Sequence, residues 1–141
     1  MSHVFQVIRS GADPNKANED GRRALHVAAE EVHLPIVYFL VRQGADVDAQ
    51  CDVGQTALHA AIHNNQCLSS LLLTVKGTDV SKRDIYGRTP LHMAAASGNI
   101  HIFDNLADET WDIHEEDDMG LTVLHHVVRH GHSNVVNHLL K

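Results

Sequence analysis

The sequence is poor in aromatic residues, cysteine and proline. Of its 141 residues only two are cysteine and three are proline, and aromatic residues make up 4%. So few aromatic residues argue against an all-β sandwich and against a surface that stacks nucleic-acid bases. Cys51 and Cys67 lie outside any CxxC motif, so neither a zinc ribbon nor a disulfide framework is indicated. The apolar fraction of 43% is nevertheless enough to build the core of one domain.

Basic residues and long hydrophobic runs are also scarce. Eleven Lys and Arg stand against 18 Asp and Glu, which gives a formal charge of −7, and a net anion does not readily follow a phosphate backbone. No apolar run reaches the ~18–20 residues of a membrane span, and no secretory signal follows Met1. We therefore expect no nucleic-acid or membrane partner and an intracellular location, in the cytoplasm or nucleus.

What the sequence does contain is a strict internal repeat. Glycine recurs every 33 residues, and a Leu-His pair recurs at the same interval. Each unit predicts a glycine turn, a short helix, a second turn and a second helix with an apolar stripe. Such short helices are marginal alone, so the units must stack on one another. The repeated residues are Gly21, Gly54, Gly87 and Gly120, with His26, His59, His92 and His125.

The run from Gly87 to Asn99 resembles the consensus of the ankyrin-repeat family, as do the Gly-Ala-Asp sequences that begin at Gly11 and Gly44. The resemblance covers essentially the whole chain. It implies an all-α solenoid of helix–turn–helix units with β-turn fingers, forming a single domain over residues 1–141. The implied units are a partial repeat at 1–17, full repeats at 18–50, 51–83 and 84–116, and a terminal repeat at 117–141.

Three departures from the family pattern predict local irregularities. Arg23 stands where a helix-capping Thr is expected, whereas Thr56 and other units keep the cap. Val32 occupies the place of a turn glycine, although a β-branched residue resists positive φ. Thr110-Trp111-Asp112 replaces Gly-Ala-Asp. We therefore expect altered turns at 31–35 and 108–114.

Thirteen histidines raise the question of a metal site. The resemblance implies a structural role for the four repeated ones, whose imidazoles would bond to backbone within and between units. Stacked helices lie ~8–10 Å apart, whereas Zn–N bonds are about 2.0–2.1 Å, so these four cannot share one ion. Two i,i+4 pairs remain, His59 with His63 and His126 with His130. A histidine-rich, metal- or pH-responsive sensor on the same scaffold is therefore the alternative function, although we assign no metal site and no cofactor.

The sequence gives no support to an enzyme. It contains no GxSxG, GxxxxGK[ST] or GxGxxG motif, and Ala60 and Val127 stand where a zinc protease would need a glutamate. The resemblance implies instead a non-catalytic module that binds a partner protein, as an inhibitor or adaptor, through a concave surface of fingers and first-helix ends.

Register places a set of variable residues on that concave surface. Ile85, Tyr86 and Met119 are apolar where the scaffold requires no apolar residue, so we expect them to anchor a partner. All eight acidic residues of the last third lie between Asp104 and Asp118, and would steer a basic partner. The predicted binding residues are Glu30, Glu31, His63, Asn64, Ile85, Tyr86, Arg88, Trp111, Asp118, Met119, Leu121, Arg129 and His130.

Neither end of the repeat array carries an evident polar cap. An apolar helix is predicted at 2–10, and Val127, Val128 and Val135 lie near the other end with Leu140. Solenoid ends need polar capping units. We therefore expect the chain to belong to a longer repeat array, or another chain to cover its ends.

Overall fold

The computed structural model of the chain describes residues 11–31, 33–107 and 112–140. These ranges contain eight α-helices and no strand, so the predicted all-α repeat fold is confirmed. The helix predicted at 2–10 lies outside the described residues. The helices are α1 (Ala24–Glu30), α2 (Leu34–Arg42), α3 (Ala57–His63), α4 (Cys67–Val75), α5 (Pro90–Ser97), α6 (Ile100–Leu106), α7 (Val123–Arg129) and α8 (Ser133–Leu139).

The helices form two layers. Helices α1, α3, α5 and α7 pack in sequence against one another, and each also packs against the helix that follows it in the chain. Helices α2, α4 and α6 form a second row, in which each contacts the next. None of these helices exceeds nine residues, so each depends on its neighbours for stability. This stacking is the arrangement expected of a repeat solenoid.

A reciprocal cap begins most helices of the first layer. The Thr56 hydroxyl accepts the N–H of His59, and the Thr56 backbone N–H donates to Nδ1 of the same imidazole at 3.1 Å. Thr89 and Thr122 repeat the arrangement. Arg23 has no hydroxyl, but its backbone N–H still donates to His26 Nδ1 at 3.0 Å. The departure at α1 therefore removes only the side-chain half of the cap.

Small residues let the stacked helices approach closely. Ala29, Ala61 and Ala94 are completely buried between the layers, beside larger residues such as Leu58 and Ile62. Burying one such Leu or Ile side chain stabilises the fold by about 1.5–3 kcal/mol. The core is therefore a continuous strip along the array, to which every unit contributes.

The last unit differs from the expectation of an uncapped apolar end. Val127 and Val135 are fully buried, because they point towards the preceding unit and the hairpin's own interior. Val128 and Leu140 are 62% and 71% exposed. Only part of the predicted apolar end is therefore accessible.

The turns follow the repeat where glycine or asparagine is present. Gly98 ends α5 with a φ of 75°, and Asn65 occupies the equivalent place with a φ of 60°, a conformation that asparagine tolerates better than most residues. Val32, at the same place in the first unit, lies outside the described residues. Helix α6 ends differently, since its cap Ala107 is extended. The rest of that irregular turn, at 108–111, is also outside the described residues.

Helix α4 buries two serines where the following outer helix buries apolar residues. Ser69 and Ser70 are fully buried at the positions that Ile102 and Phe103 occupy one repeat later, and their hydroxyls have no hydrogen-bond partner among the described residues. An unpaired buried hydroxyl is a net cost to folding.

We predict that Ser70→Ala stabilises the fold by about 1 kcal/mol, because it removes a buried hydroxyl that has no partner. Urea unfolding followed by circular dichroism measures the change. The exposed Ser133 provides the matched control, and Ser133→Ala should change the stability by less than about 0.5 kcal/mol. A lower stability for Ser70→Ala than for the unsubstituted chain would contradict the burial described above.

Candidate functional site

An acidic or amide side chain at the base holds the shape of every finger except the one that begins at Cys51. The Asp84 carboxylate accepts the backbone N–H groups of Tyr86 and Arg88 at 3.0 and 2.9 Å. Asp117 accepts those of Met119 and Leu121 in the same way. The bond from a side chain to backbone two residues on fixes the turn. The tip side chains are therefore presented on a rigid loop.

Neighbouring fingers are tied together by their backbones. The N–H of Asp52 donates to Asp20 O at 2.9 Å, and the N–H of Ile85 donates to Val53 O at 3.0 Å. Gly54 lies so close to the next finger that a Cβ there would come within 2.9 Å of Asp84 Cα. The N–H of Asp118 continues the series to the Tyr86 carbonyl. One backbone bond at each junction thus sets the spacing between the tips.

The repeated histidines bridge successive units. Nε2 of His26 bonds to Gln55 O at 2.9 Å, and Nε2 of His59 bonds to Arg88 O at 3.1 Å. His92 makes the equivalent bond to a different acceptor, Glu115 O, at 2.9 Å. Since Nδ1 accepts from backbone N–H within the unit, Nε2 must be the donor and the ring must be neutral. These bonds within and between units give the repeated histidines the structural role that the family resemblance implied.

Three of the predicted residues of the first two full units, Glu30, His63 and Asn64, line one open groove. Its volume is about 350 Å³. Arg22 crosses it and pairs with Glu30 at 2.6 Å, while His63 and Asn64 stand exposed where α3 ends. Glu30, His63 and Asn64 are the three lining residues that were predicted from the sequence as binding residues, and the other seven were not among the predicted sites. The lining residues are Asp20, Arg22, Glu30, Cys51, Asp52, Val53, Gln55, Ala60, His63 and Asn64.

Further along, the finger tips present exposed apolar side chains. Ile85, Tyr86 and Met119 are 52%, 56% and 74% exposed. The guanidinium of Arg88 lies 5.0 Å from the Tyr86 ring centroid and pairs with the buried Asp84 carboxylate at 2.9 Å. A cation held over an aromatic face restrains the ring. Tyr86 is therefore both exposed and oriented.

The remaining predicted site residues are divided between two places. Glu31, Asp118 and His130 are exposed at helix or finger ends and line none of the cavities described here. Leu121 and Arg129 line a second cavity of about 380 Å³ on the last unit, with Leu124, His125 and Val128. Trp111 lies outside the described residues.

His126 makes a buried pair with Asp117. Its Nε2 is 2.8 Å from Asp117 Oδ2, and its Nδ1 is buried with no hydrogen-bond partner among the described residues. The ring centroids of His92 and His130 lie 5.6 and 6.3 Å from that of His126. Burial lowers the pKa of His126 more than the carboxylate raises it. Burial raises the pKa of Asp117, but hydrogen bonds from Leu121, His126 and Met119 outweigh it and leave that pKa below its usual value. The i,i+4 spacing gave no indication of this pairing, because His126 occupies the register of Met93.

The described residues do not supply a metal centre. They contain no group of three or more His, Cys, Asp or Glu side chains placed to hold an ion. Within each i,i+4 histidine pair, one ring is buried and bonded elsewhere, as His59 and His126 are. Over the same ranges, no helix is long and apolar enough to cross a membrane.

Comparison with known proteins agrees with the repeat geometry. The family model for ankyrin repeats (three copies) matches residues 2–84 and 64–141. None of the curated proteins matches the chain.

The neutral bridging histidines predict that acid destabilises the fold. Burial lowers the pKa of His26, His59 and His126 below the ordinary 6.5. The unfolded chain therefore binds more protons as the pH falls through about 6.5, and stability decreases. We expect the melting temperature to fall between about pH 7.5 and 5.5, in a calorimetric series at constant ionic strength.

A variant isolates the contribution of one bridge. His59→Asn removes one of these buried titrating groups, so its melting temperature should be lower at pH 7.5 but should depend less steeply on pH. A wild-type melting temperature that stays level or rises on acidification would contradict the neutral state of these rings.

Proposed function

The chain belongs to the ankyrin-repeat family, and from that premise we propose that it is a non-catalytic module that binds a partner protein. Ankyrin repeats are generally protein–protein interaction modules. The proposed contact surface consists of the finger tips and the first-helix ends, and the role is that of an adaptor or inhibitor inside the cell. Two free cysteines fit a reducing compartment.

The observation that best supports this proposal is the row of exposed, rigidly held finger tips. The Arg88 guanidinium lies over the Tyr86 ring, and the Asp84 carboxylate accepts the Tyr86 backbone N–H. Ile85 stands beside Tyr86 on the same finger and Met119 on the following finger, and both are exposed. Because the scaffold is already ordered, little conformational entropy is lost when a partner docks. Exposed aromatic and apolar groups of this kind are common binding anchors.

Charge favours a basic partner at the opposite end of this surface. Asp20, Asp52 and Glu30 line the groove of the first two units, and Arg22 is the one Lys or Arg among its lining residues. The guanidinium of Arg22 is already paired with Glu30. An acidic groove raises the association rate of a basic partner, an effect that salt weakens.

The hydrogen bonds made by the repeated histidines support a non-catalytic role. His26, His59 and His92 each use both ring nitrogens in bonds that hold the array together. A general base needs a ring nitrogen that is free to take a proton from a bound substrate. These residues are therefore occupied structurally.

Tyr86→Ala tests the proposed anchor. A pull-down identifies a partner, and titration of that purified partner against the immobilised chain then measures affinity. We expect Tyr86→Ala to weaken binding at least tenfold, or by about 1.4 kcal/mol. The melting temperature should be unchanged, because the side chain is exposed.

An exposed residue away from the finger tips provides the control. Val80 is 39% exposed in the segment between α4 and the finger at 84–88, and Val80→Ala should leave the affinity unchanged. Equal binding by Tyr86→Ala, or a loss only with Val80→Ala, would contradict the proposed surface.

We further propose that another repeat, from a longer array or another chain, covers the last unit. Leu25, Leu58 and Leu91 are at most 9% exposed under the next unit, whereas Leu124 is 38% exposed. Nε2 of His125 has no acceptor among the described residues, although its counterparts each bond to the following unit. On the last unit, Leu124 and His125 therefore expose groups that, in the preceding units, contact the following unit.

Adding one in-register consensus repeat tests the proposed junction. We expect Val128→Ser to cost about 2 kcal/mol in the extended chain, where the side chain becomes buried. In the present chain it should cost less than about 0.5 kcal/mol, because Val128 is exposed. Urea unfolding of the present and the extended chain, each with and without Val128→Ser, gives the cost of the substitution in both. Equal costs would contradict a docking role for this face.

A pH-responsive module is the second candidate function, and the buried His126–Asp117 pair is the observation that favours it. Protonation of His126 would place charge between Asp117 and the rings of His92 and His130. The last unit would then change its stability within a physiological pH range. A melting temperature independent of pH, in the series described above, would remove this candidate.

A further inference from the structure

The outer face of α4 carries an apolar stripe where the two following units are polar. Leu68, Leu71 and Val75 are 59%, 44% and 72% exposed, and their i, i+3, i+7 spacing puts them on one side of the helix. One repeat later, the first two positions hold His101 and Asp104. The stripe is therefore not a feature that every repeat shares.

Stability of the fold does not explain this arrangement. The same helix buries Ser69 and Ser70 without hydrogen-bond partners, while Leu68 and Leu71 face outwards. Exchanging the two kinds of residue would bury more apolar surface and remove two unpaired hydroxyls. Sites that contradict local folding rules without a compensating gain in stability are commonly functional.

The stripe continues onto α2 and has a basic border. Tyr38 is 43% exposed, and its ring centroid lies 4.5 Å from Lys76 Nζ and 5.8 Å from the Arg42 guanidinium. Neither cation pairs with a carboxylate among the described residues. On the other side, Asn105 of α6 donates to Thr74 at 3.1 Å and closes the stripe with polar groups.

We propose that this outer stripe, consisting of Tyr38, Leu68, Leu71 and Val75, is a second docking surface, separate from the concave one. Its occupant is an amphipathic helix of a partner protein that carries acidic residues beside its apolar face. A helix fits because the described part of the chain offers no strand edge to pair with, whereas an i, i+3, i+7 ridge packs against the ridges of another helix. Lys76 and Arg42 have no carboxylate partner among the described residues, although the chain has a net charge of −7. They would attract acidic residues beside the apolar face of the partner helix.

Two synthetic peptides test the proposal. Both are 16-residue amphipathic helices with leucines on one face, and their flanking residues are glutamates in one and lysines in the other. Fluorescence anisotropy titrations should give saturable binding of the glutamate peptide, with a Kd near ~50 μM, and binding of the lysine peptide at least tenfold weaker. Amide chemical shifts of the labelled protein should change in α2 and α4 and not at the finger tips.

Variants of exposed residues link the binding to the stripe. The double substitution Leu71→Gln with Val75→Gln should weaken binding of the glutamate peptide at least tenfold. Leu140→Gln, which changes a residue that is 71% exposed on the last unit, should leave its affinity unchanged. Lys76→Glu should reverse the preference between the two peptides. Melting temperatures of all variants should match that of the unsubstituted chain.

Three results would overturn the proposal. The first is no saturation with the glutamate peptide up to about 1 mM. The second is equal binding of the peptide to the double variant. The third is a concentration-dependent dimer in sedimentation equilibrium that the double variant abolishes, because a second copy would then be the occupant of the stripe.

Discussion

The junction between one unit and the next is the interaction on which the rest of the structure depends. At each described junction a neutral imidazole donates to a carbonyl of the following unit, and a finger amide donates to the preceding finger. Helices of seven to nine residues have little stability alone. Burial of Leu58 and Ile62 supplies the energy of stacking, and the histidine bonds fix its register. Stability and register thus come from different groups at the same interface.

The same junctions create the candidate binding surface. The Asp84 and Asp117 side chains shape their own fingers, while backbone bonds set the distance to the next finger. The side chains of Ile85, Tyr86 and Met119 lie between these bonds and are exposed outside the core. An ordered row of exposed side chains is well suited to recognise another protein at low entropic cost. The acidic groove and the apolar tips give the two ends of that row different chemistry.

Much of the fold could be predicted from the sequence, because its scaffold residues recur at a fixed interval. The threonine caps and the bridging role of His59 follow from that period once the family is recognised. The inward direction of Ser69 and Ser70 also follows from the period, since they align with Ile102 and Phe103, but the period could not show that their hydroxyls lack hydrogen-bond partners among the described residues. Nor could it show that the fold buries His126 against Asp117, since the i,i+4 spacing grouped His126 with His130.

Predictions for the site were less complete than those for the fold. Register identified the exposed tips, but it could not reveal that Cys51 and Ala60 also line the groove, because the shape of a groove between two units depends on how the folded units pack. The apolar end was only partly foreseen. Val127 and Val128 are adjacent in sequence, yet one is fully buried and the other is 62% exposed, a difference that depends on which unit each faces.

Hydrogen–deuterium exchange of the chain with and without its purified partner tests the central claim most directly. The account predicts slower exchange in peptides covering the finger tips at 84–88 and 117–121, and at the end of α3. Exchange slowed only in the outer helices, with the finger tips unchanged, would contradict recognition through the concave surface.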